Sequence, residues 1–249
     1  TRLITNAGKL QAHPLDHRNG KLVLAKSGPA GPIANSGVID VSGDTGGRIA
    51  LAASSIAQQG TLKAAGEGGA GGSITLTARH ANATGGVISN TGTLDASGAT
   101  GGSVTLTGRN ISQQGMLRAD GVAGQGGSVT ITASAAYIDS SQALASVRGA
   151  GGTGGRIVVT GGTADGMAEE GSTGSLFSSG GFDAAGVMGG SITLTSDGGS
   201  VSLYGVHVNA DGVNGGGTIH IGGGSAGNDL TVCDARTAGV NFSSVISAD

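Results

Sequence analysis

Apolar and polar residues alternate along most of this chain, in short bursts that keep returning. Seven bursts open on paired glycines, at Gly46, Gly71, Gly101, Gly126, Gly154, Gly189 and Gly215. They read GGRIALA, GGSITLTA, GGSVTLTG, GGSVTITA, GGRIVVTG, GGSITLTS and GGGTIHIG. An earlier copy, GKLVLA, starts at Gly20. Alternation of this kind is the period of a β-strand with one buried face. The paired starts lie 25, 30, 25, 28, 35 and 26 residues apart, a spacing that marks a repeat architecture.

A second pattern follows the strands, on every other residue. Ile4, Asn6, Gly8, Leu10 and Ala12 form its first copy, and Ile33, Asn35, Gly37, Ile39 and Val41 its second. Ile56, Gln58, Gly60, Leu62 and Ala64 form the third, then Ile88, Asn90, Gly92, Leu94 and Ala96 the fourth. Ile111, Gln113, Gly115, Leu117 and Ala119 complete a fifth, and a fainter sixth runs Ile138, Ser140, Gln142, Leu144, Ser146. One repeat offers about three short strands and cannot bury its own apolar face, so the repeats must stack. The predicted fold is all-β, a parallel β-helix of about eight coils, some 40 Å long at about 4.8 Å per coil. Stacking predicts an amide ladder through Asn6, Asn35, Gln58, Asn90 and Gln113, as in cross-β stacks. The glycine pairs are expected at corners with positive φ. Length differences fall in loops, chiefly 80–87 and 161–188.

Composition narrows the picture. Glycine supplies 53 of 249 residues but proline only three, which excludes a collagen triplet. Aromatics are 2%, so the core is aliphatic and narrow. With 13 basic and 16 acidic residues there is no basic patch, which argues against nucleic acid. No apolar run approaches a membrane span or reads as a secretory leader. Cys233 stands alone, excluding an internal disulfide. The opening TRLITNAGKL already lies inside the pattern and reads as part of something longer.

The phrases NSGVIDVSGDTGG, NTGTLDASGATGGSVTLTG and GGGTIHIGGGSAG resemble the fibre repeats of filamentous haemagglutinin-type exoproteins of bacterial two-partner secretion. The opening ITNAGKLQAHPLDHRNGKLVLAKSG resembles the stretch after that family's amino-terminal secretion domain, and the likeness is strongest over 1–132. The secretion domain's Asn-Pro motifs are absent, so the resemblance is to fibre. It implies a right-handed parallel β-helix, export through an outer-membrane partner, and adhesion, aggregation or biofilm-matrix roles outside the cell. The register predicts a single β-helical segment over 1–249, with regular coils over 1–160. An irregular insertion is expected over 161–188, and last coils leading towards another module over 189–249.

Candidate chemistry is sparse. His13, Asp16 and His17, beside Arg18, are the metal candidates, but Pro14 and Gly20 place them in a connecting loop. A polysaccharide lyase or hydrolase on a β-helix needs clustered carboxylates, whereas Asp40, Lys63, Asp95 and Arg118 alternate in sign, as a solvated face does. GGGSAGND at 222–229 resembles one calcium nonapeptide, without the second copy such sites need. Asn82, Asn110 and Asn241 open Asn-x-Ser/Thr triplets. Thr75, Thr77, Thr105, Thr107, Thr130 and Thr132 are expected on one outer face with Thr193 and Thr195, an array resembling ice-binding solenoids. Arg48, Val158 and His220 are expected to break its ranks, and β-branched threonine is also an ordinary residue of a wet strand face. The expectation is a rigid extracellular structural or adhesive segment without catalysis or cofactor. It would contact host or matrix polysaccharide or protein surfaces, and copies could join end to end. The alternative is a solenoid that binds ice or glycan through its Thr-x-Thr face.

Overall fold

The computed structural model describes residues 3–11, 20–25, 31–79, 86–162, 174–224 and 232–249. The described residues form strands and turns, and every strand pair between them is parallel. No helix among them is long and apolar enough to cross a membrane. There is one 15-stranded sheet, one 9-stranded sheet and one 2-stranded sheet. Each return of the chain to a sheet, called a pass below, pairs with the pass before it and the pass after it.

Three long ranks of strands result, beside the short pair Gly149–Thr153 and Gly186–Met188. The first holds the glycine-pair strands, from Lys21–Ala25 and Arg48–Ala53 to Thr218–Ile221. The second runs from Ile4–Asn6 and Ile33–Asn35 to Thr237–Val240. Both belong to the larger sheet, because the long strands Ser103–Gln113 and Ser128–Asp139 pass through both. The third rank is the 9-stranded sheet, from Lys9–Gln11 to Val245–Ser247.

Pairing sets like on like. Ile4, Ile33, Ile56, Ile88 and Ile111 share one column, and Leu10, Ile39, Leu62, Leu94 and Leu117 another. These meet the inward residues of the first rank in one continuous core. Within it Ile49, Leu62, Ile74, Leu94 and Val104 are fully shielded from solvent. Burial of each such side chain stabilises the fold by about 1.5–3 kcal/mol. The columns open at both ends: Leu10 is 37% and Ile246 42% exposed.

Three expectations need correction. The sixth copy of the second pattern is out of step by one residue. Tyr137 and Asp139 pair with Ile111 and Gln113, after a register shift between Gly108 and Asn110. Ile138 therefore points outward, 51% exposed. The slip admits a large ring into the isoleucine column, and Ala145 stands in the leucine column of the same pass. Secondly, of the irregular stretch 161–188, Ser175–Ser178 and Gly181–Asp183 sit in full register with the passes on either side. Residues 163–173 lie outside the described residues, as do 80–85 of the other expected loop.

Thirdly, the glycine pairs from Gly46 to Gly190 do not have left-handed φ values. Their requirement is close approach. The Gly72 carbonyl accepts a hydrogen bond from the Ser103 amide at 2.9 Å. That oxygen sits where a Cβ on Gly102 would be, and the Gly102 carbonyl stands in the same relation to Gly127. Gly102→Ala should therefore cost on the order of 3 kcal/mol, as overpacking against backbone does. Gly68→Ala, with nothing near its Cβ, should stay within about 0.5 kcal/mol of the parent. Urea unfolding midpoints of the two variants check this, and equal midpoints would contradict it.

Candidate functional site

The polar column inside the second rank is where buried chemistry concentrates. Asn6 Nδ2 donates to Asn35 Oδ1 at 2.7 Å, and Asn35 Nδ2 to Gln58 Oε1 at 2.8 Å. Asn90 Nδ2 donates to Gln113 Oε1 at 2.9 Å. Between these runs Gln58 Nε2 turns to the Gly60 carbonyl, 2.9 Å away, and Gln113 does the same with Gly115 at 3.0 Å. Each amide thus serves both its neighbour and its own turn, which explains why amide and glycine recur two residues apart. Asn35, Gln58, Asn90 and Gln113 are buried, where an unpaired amide would cost about 1–3 kcal/mol.

One pass later the slip replaces the amide with the carboxylate of Asp139, also buried. Its Oδ2 accepts from Tyr137 Oη at 3.0 Å and Ser178 Oγ at 2.7 Å. Its Oδ1 accepts from the amides of Ser179 at 2.7 Å and Gly180 at 2.9 Å. Burial outweighs these four donors and raises the Asp139 pKa above its ordinary value. Tyr137 is raised as well, by burial first and then by the Asp139 charge. A hydroxyl pair against a carboxylate is chemistry an active site can use, but these groups are sealed in the core. The alternating pattern gave no sign of Asp139, because it placed Ser140 inside.

A second buried carboxylate, Asp120, has no signal in the alternating pattern. It is buried at a corner, accepting from Arg118 Nε and Nη2 at 3.1 and 3.0 Å. It also accepts from Ser146 Oγ at 2.6 Å and the Arg148 amide at 2.8 Å, clasping one pass to the next. Asp40, Asp95 and Asp183 cap their own corners by accepting from the amides of Ser42, Ser97 and Ala185. Asp40, Lys63, Asp95 and Arg118 align in register as one outward row.

On the first rank Thr75, Thr105 and Thr130 share one outward column, and Thr77, Thr107 and Thr132 the next. Ala50 and Ala52 end these columns on one side, since Arg48 pairs with Ser73 instead. Val158 interrupts the first column, and Thr193 and Thr195 beyond it are buried. The half-exposed array is thus three passes deep in the first column and four, with Thr160, in the second.

The metal candidates His13, Asp16 and His17 lie outside the described residues, as do Asn82 and residues 225–229. Among the described residues no group of three His, Cys, Asp or Glu side chains stands ready for a metal. Cys233 is exposed, and desolvation, then Asp197 and Asp234, hold its thiol above its ordinary pKa. Composition also hid where the few aromatics go. Tyr137 and Phe182 are buried, while Phe177 and Tyr204 stack on the surface with centroids 5.2 Å apart. Against known proteins, the chain matches no family model, no curated protein and no solved structure.

Asp139 gives a test with a defined sign. Its raised pKa means that the native state takes up this proton more readily than the unfolded chain does. Its contribution to stability is greatest below the ordinary carboxylate pKa and declines as pH rises to the raised value. Asp139→Asn can keep all four contacts, with Oδ1 accepting from the two amides and Nδ2 donating to the two hydroxyls. Melting curves from pH 3 to pH 8 should show a Tm gain over the parent that is largest at neutral pH and shrinks as the pH falls. A Tm below the parent's at neutral pH, or a difference that does not change with pH, would contradict the assignment.

Proposed function

We propose that this chain is a rigid, non-catalytic segment of a bacterial extracellular fibre, whose passes are the coils of a right-handed parallel β-helix. The observation that carries the reading is the register. Apolar side chains stack in continuous columns from pass to pass, one of them running from Leu10 through Leu62, Leu117 and Phe182 to Ile246. Parallel crossovers within one sheet are right-handed in nearly all proteins, which supports the handedness. A repeat of this kind is quasi-one-dimensional: it sets distance and stiffness along one axis. Open ends accept further passes, either of a longer chain or of a second copy joined head to tail.

The likeness of NSGVIDVSGDTGG and NTGTLDASGATGG to filamentous haemagglutinin-type fibres supports secretion through an outer-membrane partner to the bacterial surface or medium. Adhesion or matrix building is the role such a rod serves, with host or matrix polysaccharide and protein surfaces as its contacts. The ice- or glycan-binding alternative draws on the in-register threonines. Its array is cut short by Ala50 and Ala52 and broken at Val158, which favours the fibre.

The reading is tested by removing one pass. Deleting residues 102–126 joins Gly101 to Gly127, two glycines at successive positions of the same repeat. The shortened chain should fold with an unchanged cross-section in X-ray scattering and lose about 4.8 Å of length. Deleting 102–113 takes part of a pass and should abolish cooperative folding. If the two deletions behave alike, or the parent scatters as a sphere, the reading fails.

A further inference from the structure

The corner beside the first rank carries a feature for which stiffness alone has no use. Immediately after the stacked glycines stands one outward row of residues, aligned from pass to pass. Lys21, Arg48 and Arg156 supply its charge. Ser73, Ser103 and Ser128 fill the places between Arg48 and Arg156, and Ser191 and Thr218 follow. Every member donates hydrogen bonds, and no member is acidic or apolar.

This differs from the row on the 9-stranded sheet, where Asp40, Lys63, Asp95 and Arg118 alternate in sign and so neutralise one another. Lys21 and Arg48 instead oppose like charges on adjacent strands, an arrangement that costs stability. No described residue forms an ion pair with Lys21, Arg48 or Arg156. Among the described residues nothing offsets that cost, and a bound anion would.

Beside this row lies a shallow, open groove of about 500 Å³. It crosses four passes, from Gly20 to Ser103, and no carboxylate among the described residues lines it. Its floor is glycine backbone. A side chain on Gly47, Gly72 or Gly102 would collide with the carbonyl of the preceding pass, so the packing itself keeps the groove open.

We propose that this groove binds an acidic polysaccharide lying along the stacking direction. Lys21 and Arg48 take its carboxylate or sulfate groups, and Ser73 and Ser103 hydrogen-bond its hydroxyls. Rungs about 4.8 Å apart offer a donor at every step, which suits an extended polymer better than a single small anion. Single-stranded nucleic acid is also a repeating anion, but its bases are held on aromatic side chains. This row has none, and the exposed rings Phe177, Tyr204 and Phe242 lie on or just after strands of the second rank. The inference rests on the fibre reading, and gives the fibre a ligand class.

The test is surface binding of the 249-residue chain to four immobilised probes: polygalacturonate, dextran sulfate, neutral dextran and an oligothymidylate. Binding is expected to polygalacturonate, to dextran sulfate or to both, with affinity falling as salt rises and none to neutral dextran. The two acidic probes separate carboxylate from sulfate recognition. The double variant Lys21→Ser and Arg48→Ser, which extends the row's own serine, should weaken binding about tenfold or more. Lys63→Ser, on the neutralised row, should leave binding within about twofold. Equal binding to neutral dextran, preference for the oligothymidylate, or equal effects of the two changes would overturn the proposal. X-ray scattering on the same samples separates the two levels. Rods that bind no acidic glycan overturn the site alone, whereas a chain that is not a rod overturns the fibre reading beneath it.

Discussion

Each pass lies so close to the one before that, at Gly72, Gly102 and Gly127, the space a Cβ would need holds a carbonyl oxygen of the preceding pass. That oxygen accepts the first ladder hydrogen bond of the next strand, so the contact cannot be relaxed without losing the pairing. The constraint fixes where every pass begins. With the starting point fixed, alternation carries the isoleucine, leucine and amide columns into line without further instruction. A one-residue slip would turn a whole apolar set towards water, so the register is strongly held.

The same constraint explains the polar interior. A column that places an amide inside each pass would be costly if the amides were unpaired. Exact superposition lets Asn6, Asn35 and Gln58 bond in series, and Asn90 bond Gln113, while glycine two residues on takes the remaining donors. Where register shifts, between Gly108 and Asn110, the column changes chemistry. Asp139 arrives with its own hydroxyl and backbone donors, and the core makes room for Tyr137. The break is therefore compensated locally, and pairing resumes beyond it through Ser175–Ser178 and Gly181–Asp183.

Much of this was legible in the residues. Period-2 alternation and the amide–glycine pair read true for the columns from Ile4 to Ile111, because both report which way a side chain points. What stayed hidden depends on the neighbouring pass. Glycine at a corner reads equally well as a positive-φ residue or as a place of close approach, and only stacking distinguishes them. Asp120 and Asp139 look like solvated acids until Ser146, Arg148, Ser178 and Gly180 arrive from the next pass to satisfy them. The glycine-floored groove was hidden for the same reason. Lys21 and Arg48 are 27 residues apart in sequence and meet only through pairing.

In-register parallel stacking is tested most directly by distances between spin labels along one outward row. In a Cys233→Ser background, pairs of cysteines are placed at Arg48 with Ser128, with Arg156 and with Ser191, which are three, four and five passes apart in register. Pulsed dipolar spectroscopy should give mean distances that grow by about 4.8 Å per pass, from about 14 to about 24 Å. Distances that follow sequence separation instead, or that do not increase in even steps, would contradict the stacked register on which the fold, the groove and the proposed fibre role all depend.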